Sequence, residues 1–189
     1  MRLVDTSRPV AIALAVALTG LLPAYAQEDF GFMPRGGKTL FVDAFGTSPD
    51  AATLDEMAAA ARSEADWNDL LAERNTALGD KELRTLAAYL ALNMPAPRDA
   101  LDAAAKAGDI ATALPADGRE LAWNGCQSCH SLFAGYLTQD RDLQGWQNIF
   151  QSPFHRELKM SAEEREEFSH YSVINMPMKF EDVPEDLRF

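Results

Sequence analysis

The segment Cys126-Gln127-Ser128-Cys129-His130 decides how the rest of this sequence is interpreted, and it holds the only two cysteines of the 189-residue chain. In a C-x-x-C-H segment each thiol can add across one vinyl group of a haem, because the two intervening residues set the thiols at the vinyl spacing. The imidazole of the next residue can then bind the iron. The segment therefore predicts one covalent haem c on Cys126 and Cys129, with His130 as an iron ligand.

Two other chemistries use paired cysteines. A C-x-x-C pair alone could form a redox-active disulfide of the thioredoxin type, but that fold needs a strand–helix–strand pattern around the motif, and the sequence shows none. A structural zinc site needs about four ligands, commonly from two such cysteine pairs, and this chain has a single pair. We therefore favour haem attachment over a redox disulfide, zinc binding or a chance match.

Helical patterns flank the motif on both sides. Residues 114–123, with the sequence LPADGRELAW, are predicted to form a short helix that runs into the motif and has acidic and polar residues near its start. Ser161-Ala162-Glu163-Glu164 is a capping box, so we expect a closing helix over residues 162–173. Asn175-Met176-Pro177 ends this helix, because proline disfavours helical backbone in the residue before it.

Together these features resemble class I c-type cytochromes over residues 113–189. The resemblance depends on a helix leading into C-x-x-C-H, a loop with Trp146, and a closing helix of the form Ser-x-x-Glu that carries Phe168 and Tyr171. It implies an all-α fold in which the first and last helices cross near one haem edge, and a function in carrying single electrons. It also implies that His130 is the proximal iron ligand and that a second ligand comes from the loop before the closing helix.

The distal iron ligand has several candidates. Between the motif and the closing helix the donors are His155 and Met160, and the spacing that the resembling family uses before the aromatic residue of its last helix favours His155. Met160 lies beside the helix N-cap, where an apolar residue often packs as a hydrophobic staple. Met176 belongs to an Asn-Met-Pro tripeptide that recurs in the chain, and Met178 lies beyond the closing helix. An open iron position is the remaining alternative.

A second stretch of the chain repeats the pattern of the haem half without its cysteines. Residues 67–95 run from a tryptophan through Leu-x-x-Tyr to Asn-Met-Pro, and residues 146–177 run from a tryptophan through Phe-x-x-Tyr to Asn-Met-Pro. The simplest interpretation is two related helical units, with residues 27–96 as a haemless cytochrome-like unit, 97–112 as a linker or helix, and 113–189 as the haem domain. The alternative is a coincidence between two amphipathic helices.

Residues 1–26 are predicted to form a secretory signal peptide. Basic residues lie near its start, residues 10–22 are apolar, and Ala24-Tyr25-Ala26 matches the small-x-small pattern that signal peptidase cuts after. The apolar run is shorter than the roughly 20 residues that span a bilayer, so an uncleaved anchor is the weaker alternative. We expect cleavage after Ala26, export to the periplasm, and a mature chain that is not an integral membrane protein.

The net negative charge of the chain indicates which kinds of binding partner to expect. The chain has a formal net charge of −12, and nucleic-acid binding is not expected because phosphate contacts need clustered Lys and Arg. The acidic run at residues 181–186 could dock a basic redox partner, although a solvated surface is the ordinary role of such a run.

The expected function is electron transfer by a single haem. In a haem protein the iron does the redox chemistry, while the chain sets potential, access and docking. The expected partners are other exported or membrane-bound redox proteins, and the chain could be the haem subunit of a periplasmic dehydrogenase. The alternatives are a haem-based sensor of a small molecule and a peroxidase-like enzyme. Both need an iron position open to a ligand, and the enzyme normally adds distal acid–base groups.

Overall fold

Eight α-helices and no β-strand are present in the part of the chain that the computed structural model describes, residues 30–59, 61–74, 76–127 and 129–188. The predicted all-α fold is therefore confirmed. The helices are α1 (Gly37–Phe45), α2 (Ala51–Ala58), α3 (Glu64–Glu73), α4 (Asp80–Asn93), α5 (Arg98–Ala107), α6 (Gly118–Cys126), α7 (Leu143–Asn148) and α8 (Ala162–Asn175). Short 3-10 segments lie at Ile110–Ala113, Ile149–Gln151, His155–Glu157, Phe180–Asp182 and Glu185–Leu187, and a π-helical turn spans Phe133–Leu137. The predicted signal peptide, residues 1–26, lies outside the described residues.

The helix that leads into the cysteine motif begins later than predicted. The carboxylate of Asp117 accepts a hydrogen bond from the Glu120 N–H at 3.0 Å, and the Glu120 carboxylate accepts one from the Asp117 N–H at 3.1 Å. This capping box makes Asp117 the N-cap, so α6 runs from Gly118 to Cys126 and not over residues 114–123. The first cysteine of the motif is consequently the last residue of a helix.

The closing helix, α8, begins where its capping box predicts. The hydroxyl of Ser161 accepts a hydrogen bond from the Glu164 N–H at 3.2 Å, and the Glu164 carboxylate accepts one from the Ser161 N–H at 2.7 Å. The helix continues to Asn175, slightly beyond the predicted end. It stops there because Met176, in front of Pro177, has extended backbone angles of φ −101° and ψ 155°.

Two clusters of buried side chains form the core. The first is built from α1 to α5 and also includes Ile110 and Leu114. Leu101 of α5 is fully buried in it, so the segment predicted as a linker or helix packs as part of the first unit. The second cluster is built from α6 to α8 and includes Phe30 and Met33 from the start of the described chain. Phe30 and Met33 therefore pack on the second unit, although they precede the helices of the first unit in the sequence.

Each unit contains one close crossing of helices at a glycine. Gly37, the first residue of α1, lies against Tyr89 of α4, and Gly118, the first residue of α6, lies against Tyr171 of α8. A Cβ atom at either glycine would lie 2.1 Å from a carbon atom of the facing tyrosine. A larger residue would therefore force the helices apart, and the same contact forms between corresponding positions of the two halves.

The two tyrosines also connect the units reciprocally. The Tyr89 hydroxyl donates a hydrogen bond to the carbonyl of Pro115 at 2.8 Å, and the Tyr171 hydroxyl donates one to the carbonyl of Pro34 at 2.6 Å. The helices that carry them, α4 and α8, pack on each other. Paired contacts of this kind are what a repeat would produce, and a common origin of the two units stays a prediction.

A buried carboxyl group lies where the two units meet. Glu167 of α8 accepts hydrogen bonds from the Gly118 N–H at 2.9 Å and from the side-chain amide of Asn93 at 3.3 Å. Desolvation raises the pKa of Glu167 to about 8, and the nearby charge of Asp117 acts in the same direction. This carboxyl group is therefore mainly protonated at neutral pH.

We predict that Glu167 makes the free energy of unfolding fall as the pH rises. A carboxyl group with a pKa near 4.5 in the unfolded chain and about 8 in the folded one contributes its full stabilisation below pH 4.5 and loses it as the pH rises towards 8. The slope from one such group reaches at most about 1.4 kcal/mol per pH unit. Urea unfolding across this pH range should show a smaller slope for Glu167→Gln than for the native chain.

The control is Glu166→Gln, which removes a neighbouring carboxylate that accepts a hydrogen bond from Gln147. It should keep the native slope. Equal slopes for Glu167→Gln and the native chain would show that Glu167 titrates alike in the folded and unfolded states, and would contradict the prediction.

Candidate haem site

A cavity of about 460 Å³ opens beside the cysteine motif. Its volume lies within the range of about 300–1,000 Å³ that is typical of small-molecule and cofactor sites. The structure brings all five predicted site residues to its wall: Cys126, Cys129, His130, His155 and Met160. The rest of the wall is mostly apolar and consists of Gly125, Gly135, Tyr136, Arg141, Trp146, Ile149, Phe150, Phe154, Leu158 and Phe168.

The C-terminal end of α6 brings the cysteines to the cavity. Cys126 is half-buried and Cys129 is exposed. Burial raises the pKa of the Cys126 thiol to about 12, whereas thiol–disulfide exchange uses cysteines whose pKa is lowered. This environment disfavours the redox-disulfide alternative. Among the described residues, no group of three or more His, Cys, Asp or Glu side chains is arranged to hold a metal ion.

Two histidine rings lie next to each other in the cavity, each oriented by a backbone carbonyl. Nδ1 of His130 lies 3.2 Å from the carbonyl oxygen of Ser131, and Nδ1 of His155 lies 3.2 Å from the carbonyl oxygen of Ile149. Metal-binding histidines are commonly held in this way, through the ring nitrogen that does not bind the metal. Each ring therefore keeps Nε2 for a metal ion.

The separation of the two rings suits a shared metal ion. The centroids of the His130 and His155 rings are 6.1 Å apart, and the ring planes are inclined by 79°. A metal–imidazole bond is about 2.0–2.1 Å long, so two rings this close would both be within reach of one bound ion. Their proximity is consistent with His155 as the partner of His130.

The methionine candidates are placed less favourably. Met160 lines the cavity, but its Cε packs on Gly125, where a Cβ atom would lie only 2.5 Å away. Met176 is buried in the second core cluster, and within the described part of the chain neither Met176 nor Met178 belongs to the cavity wall. Of the four candidates, His155 is the one whose side chain is shown in a ring contact with the motif histidine.

One part of the wall offers hydrogen-bond donors to a ligand. Trp146 is 1% exposed, and its indole Nε1 is buried with no hydrogen-bond partner among the described residues. The guanidinium carbon of Arg141, which also lines the cavity, lies 5.6 Å from the centroid of the Trp146 ring. A buried donor without an acceptor costs free energy, but Nε1 of Trp67 in the first unit is unpaired in the same way among the described residues, so this feature is not specific to the cavity. The thiols, the imidazoles and the apolar wall fit a haem, and the positive charge of Arg141 suits its carboxylates.

Two residues that shape this site, Gly135 and Arg141, were not predicted from the sequence. Gly135 lies in the π-helical turn after the motif, and a Cβ atom there would be 2.2 Å from two atoms of the His130 ring. Arg141 precedes α7 and reaches the cavity beside Trp146. A lone glycine and a lone arginine in a loop carry no specific pattern. The π-helical turn, which often marks functional sites, appears only in the structure.

Comparisons of the chain with protein-family models, with curated proteins and with solved structures found no match. Support for the site comes from its residues and their geometry. Within the described ranges, no helix combines the length and the apolar character needed to cross a membrane.

We predict that Gly135→Ala displaces the His130 ring, because the added methyl group would lie 2.2 Å from Cε1 and Nδ1 of that ring. The haem-loaded variant should lose part of its low-spin absorption while its mass still shows attached haem. Gly79→Ala is the control, since its added Cβ would meet only a Glu82 oxygen at 3.8 Å. A native spectrum for Gly135→Ala would mean that the ring does not depend on this contact.

Proposed function

We propose that this protein is an exported monohaem c-type cytochrome that carries single electrons between redox partners. The proposal rests on one observation, the placement of two cysteines and two histidines around a single, largely apolar cavity. Cys126 and Cys129 would hold the haem through thioether bonds, with His130 as the proximal and His155 as the distal iron ligand. A bound haem supplies a one-electron iron couple.

The residues around the cavity would set the potential of that couple. The carbonyls of Ser131 and Ile149 accept from Nδ1 of the two histidines, which fixes the ring orientation and raises ligand basicity. A second imidazole gives a lower reduction potential than a methionine thioether in the same position. Most of the cavity wall is apolar, which favours the uncharged state of a bound group, and the positive charge of Arg141 would lie beside the haem carboxylates.

The arrangement favours electron transfer over the two other haem functions. A small-molecule sensor or a peroxidase-like enzyme needs an iron position that a ligand can reach, and the enzyme normally adds distal acid–base groups. The ring of His155 lies 6.1 Å from that of His130, so an external ligand would have to displace it. An electron carrier needs no such exchange.

The proposal extends to location and partners. The predicted signal peptide directs the chain to the periplasm, where the partners would be other exported or membrane-bound redox proteins. A haem subunit of a periplasmic dehydrogenase is one form that such an assembly could take. Phe154, on the cavity wall, is 86% exposed, and aromatic side chains are enriched at protein interfaces.

We predict that His155→Ala opens the iron to external ligands and that Met160→Ala does not. The native reduced holoprotein should show a six-coordinate low-spin spectrum that carbon monoxide does not shift. Without the imidazole of His155, the iron should become high-spin and bind carbon monoxide readily. Met160→Ala is the matched control, because it changes the same wall and leaves both imidazoles in place.

Two outcomes would count against the proposal. Low-spin iron in both variants would remove His155 as the distal ligand and direct attention to Met176 and Met178. Ready binding of carbon monoxide by the native protein would favour a sensor or a peroxidase-like enzyme over an electron carrier.

A further inference from the structure

His155 lies on a segment with little regular structure of its own. It begins the 3-10 turn His155–Glu157, which stands between another 3-10 segment and α8. The Leu158 N–H donates to the His155 carbonyl at 3.1 Å and closes that turn. The preceding residue, Phe154, is largely exposed and anchors the segment little. A single turn gains little from helical cooperativity, so contacts from outside must keep it in place.

Arg165 of α8 supplies such contacts. Its Nη2 donates hydrogen bonds to the carbonyl of Arg156 at 3.0 Å and to the carbonyl of Leu158 at 3.3 Å. These carbonyls lie on either side of Glu157, directly after His155. A guanidinium group carries five N–H donors in a rigid planar fork, which suits it to hold two carbonyls at once.

The same guanidinium contacts the cavity wall. Its central carbon lies 5.1 Å from the centroid of the Phe150 ring, and Phe150 is almost fully buried. Phe150 follows Ile149, whose carbonyl meets Nδ1 of His155. Arg165 therefore contacts the backbone of the His155 turn and the side chain of the residue that follows Ile149. Its own position is set by α8, where its N–H donates to the carbonyl of the N-cap residue at 3.1 Å.

We infer that Arg165 is a positioning residue that holds the His155 turn against the cavity. The inference rests on the proposed function, in which His155 is the distal iron ligand. Without the contacts of Arg165, the turn would lose its link to α8 and the imidazole would spend more time away from the iron. Lysine could keep the charge, but it lacks the planar fork and stacks less well on Phe150.

Two measurements test this role in Arg165→Met and Arg165→Lys. Carbon monoxide, which is expected to leave the native reduced spectrum unshifted, should shift part of the spectrum of Arg165→Met, because the loss of a hydrogen bond to a charged group is worth about tenfold or more in the equilibrium that holds the turn. Tryptic cleavage after Lys159, which is exposed at the end of this loop, should accelerate as well. Arg165→Lys should give an intermediate result in both measurements.

The matched control is Arg156→Gln, which removes one positive charge from the loop and keeps the carbonyl that accepts from Arg165. It should keep the native affinity for carbon monoxide and the native cleavage rate after Lys159. If Arg165→Met does not fold, a shift of both readouts in Arg165→Lys supports the inference in its place.

Failures of the two proposals are distinguishable. Native carbon monoxide affinity and native cleavage in both Arg165 variants overturn the positioning role, even when the protein carries low-spin haem. A native protein without covalent haem overturns the proposed function, and the cleavage rate then still decides whether Arg165 holds the loop.

Discussion

The second unit, built from α6 to α8, depends on the close approach of α6 to α8 at Gly118 and Tyr171. A Cβ atom at Gly118 would collide with Tyr171, so glycine lets the two helices pack closely where they cross. The crossing sets the direction of α6, which delivers Cys126 to the cavity at its other end. It also sets α8, which carries Phe168 of the cavity wall and Arg165 beside the His155 turn. One contact thereby aligns both sides of the proposed site.

The first unit has the same close contact between a glycine and a tyrosine, but the helix that starts at its glycine ends in a different residue. Gly37 lies on Tyr89 as closely as Gly118 lies on Tyr171 in the second unit. However, α1 ends at Phe45 where α6 ends at Cys126, and the Phe45 ring packs on that of Phe41 at a centroid distance of 4.8 Å. The end of α1 is thus occupied by packed aromatic rings, whereas the end of α6 carries a cysteine thiol. The first unit contacts the second through the packing of α4 on α8.

Local patterns made the fold predictable, whereas the cavity depends on contacts between distant residues. Capping boxes act over three residues, so the start of α8 could be predicted, and the pattern from Asp117 to Glu120 was an equally local signal for the start of α6. The C-x-x-C-H motif predicts covalent haem attachment from five consecutive residues, and this stays a prediction. By contrast, the choice between His155 and Met160 depends on which one lies beside His130, and that follows from the packing of α8 and the loop before it. The spacing before the closing helix favours His155 only through the family resemblance, whereas the 6.1 Å between the centroids of the His130 and His155 rings is visible only in the folded chain.

Covalent haem attachment is tested most directly by the intact mass and the visible spectrum of the mature protein, made in a host that matures c-type cytochromes. We expect a coloured protein whose mass is that of the polypeptide cleaved after Ala26 plus one haem, held through Cys126 and Cys129. A colourless protein with the mass of the polypeptide alone would contradict it.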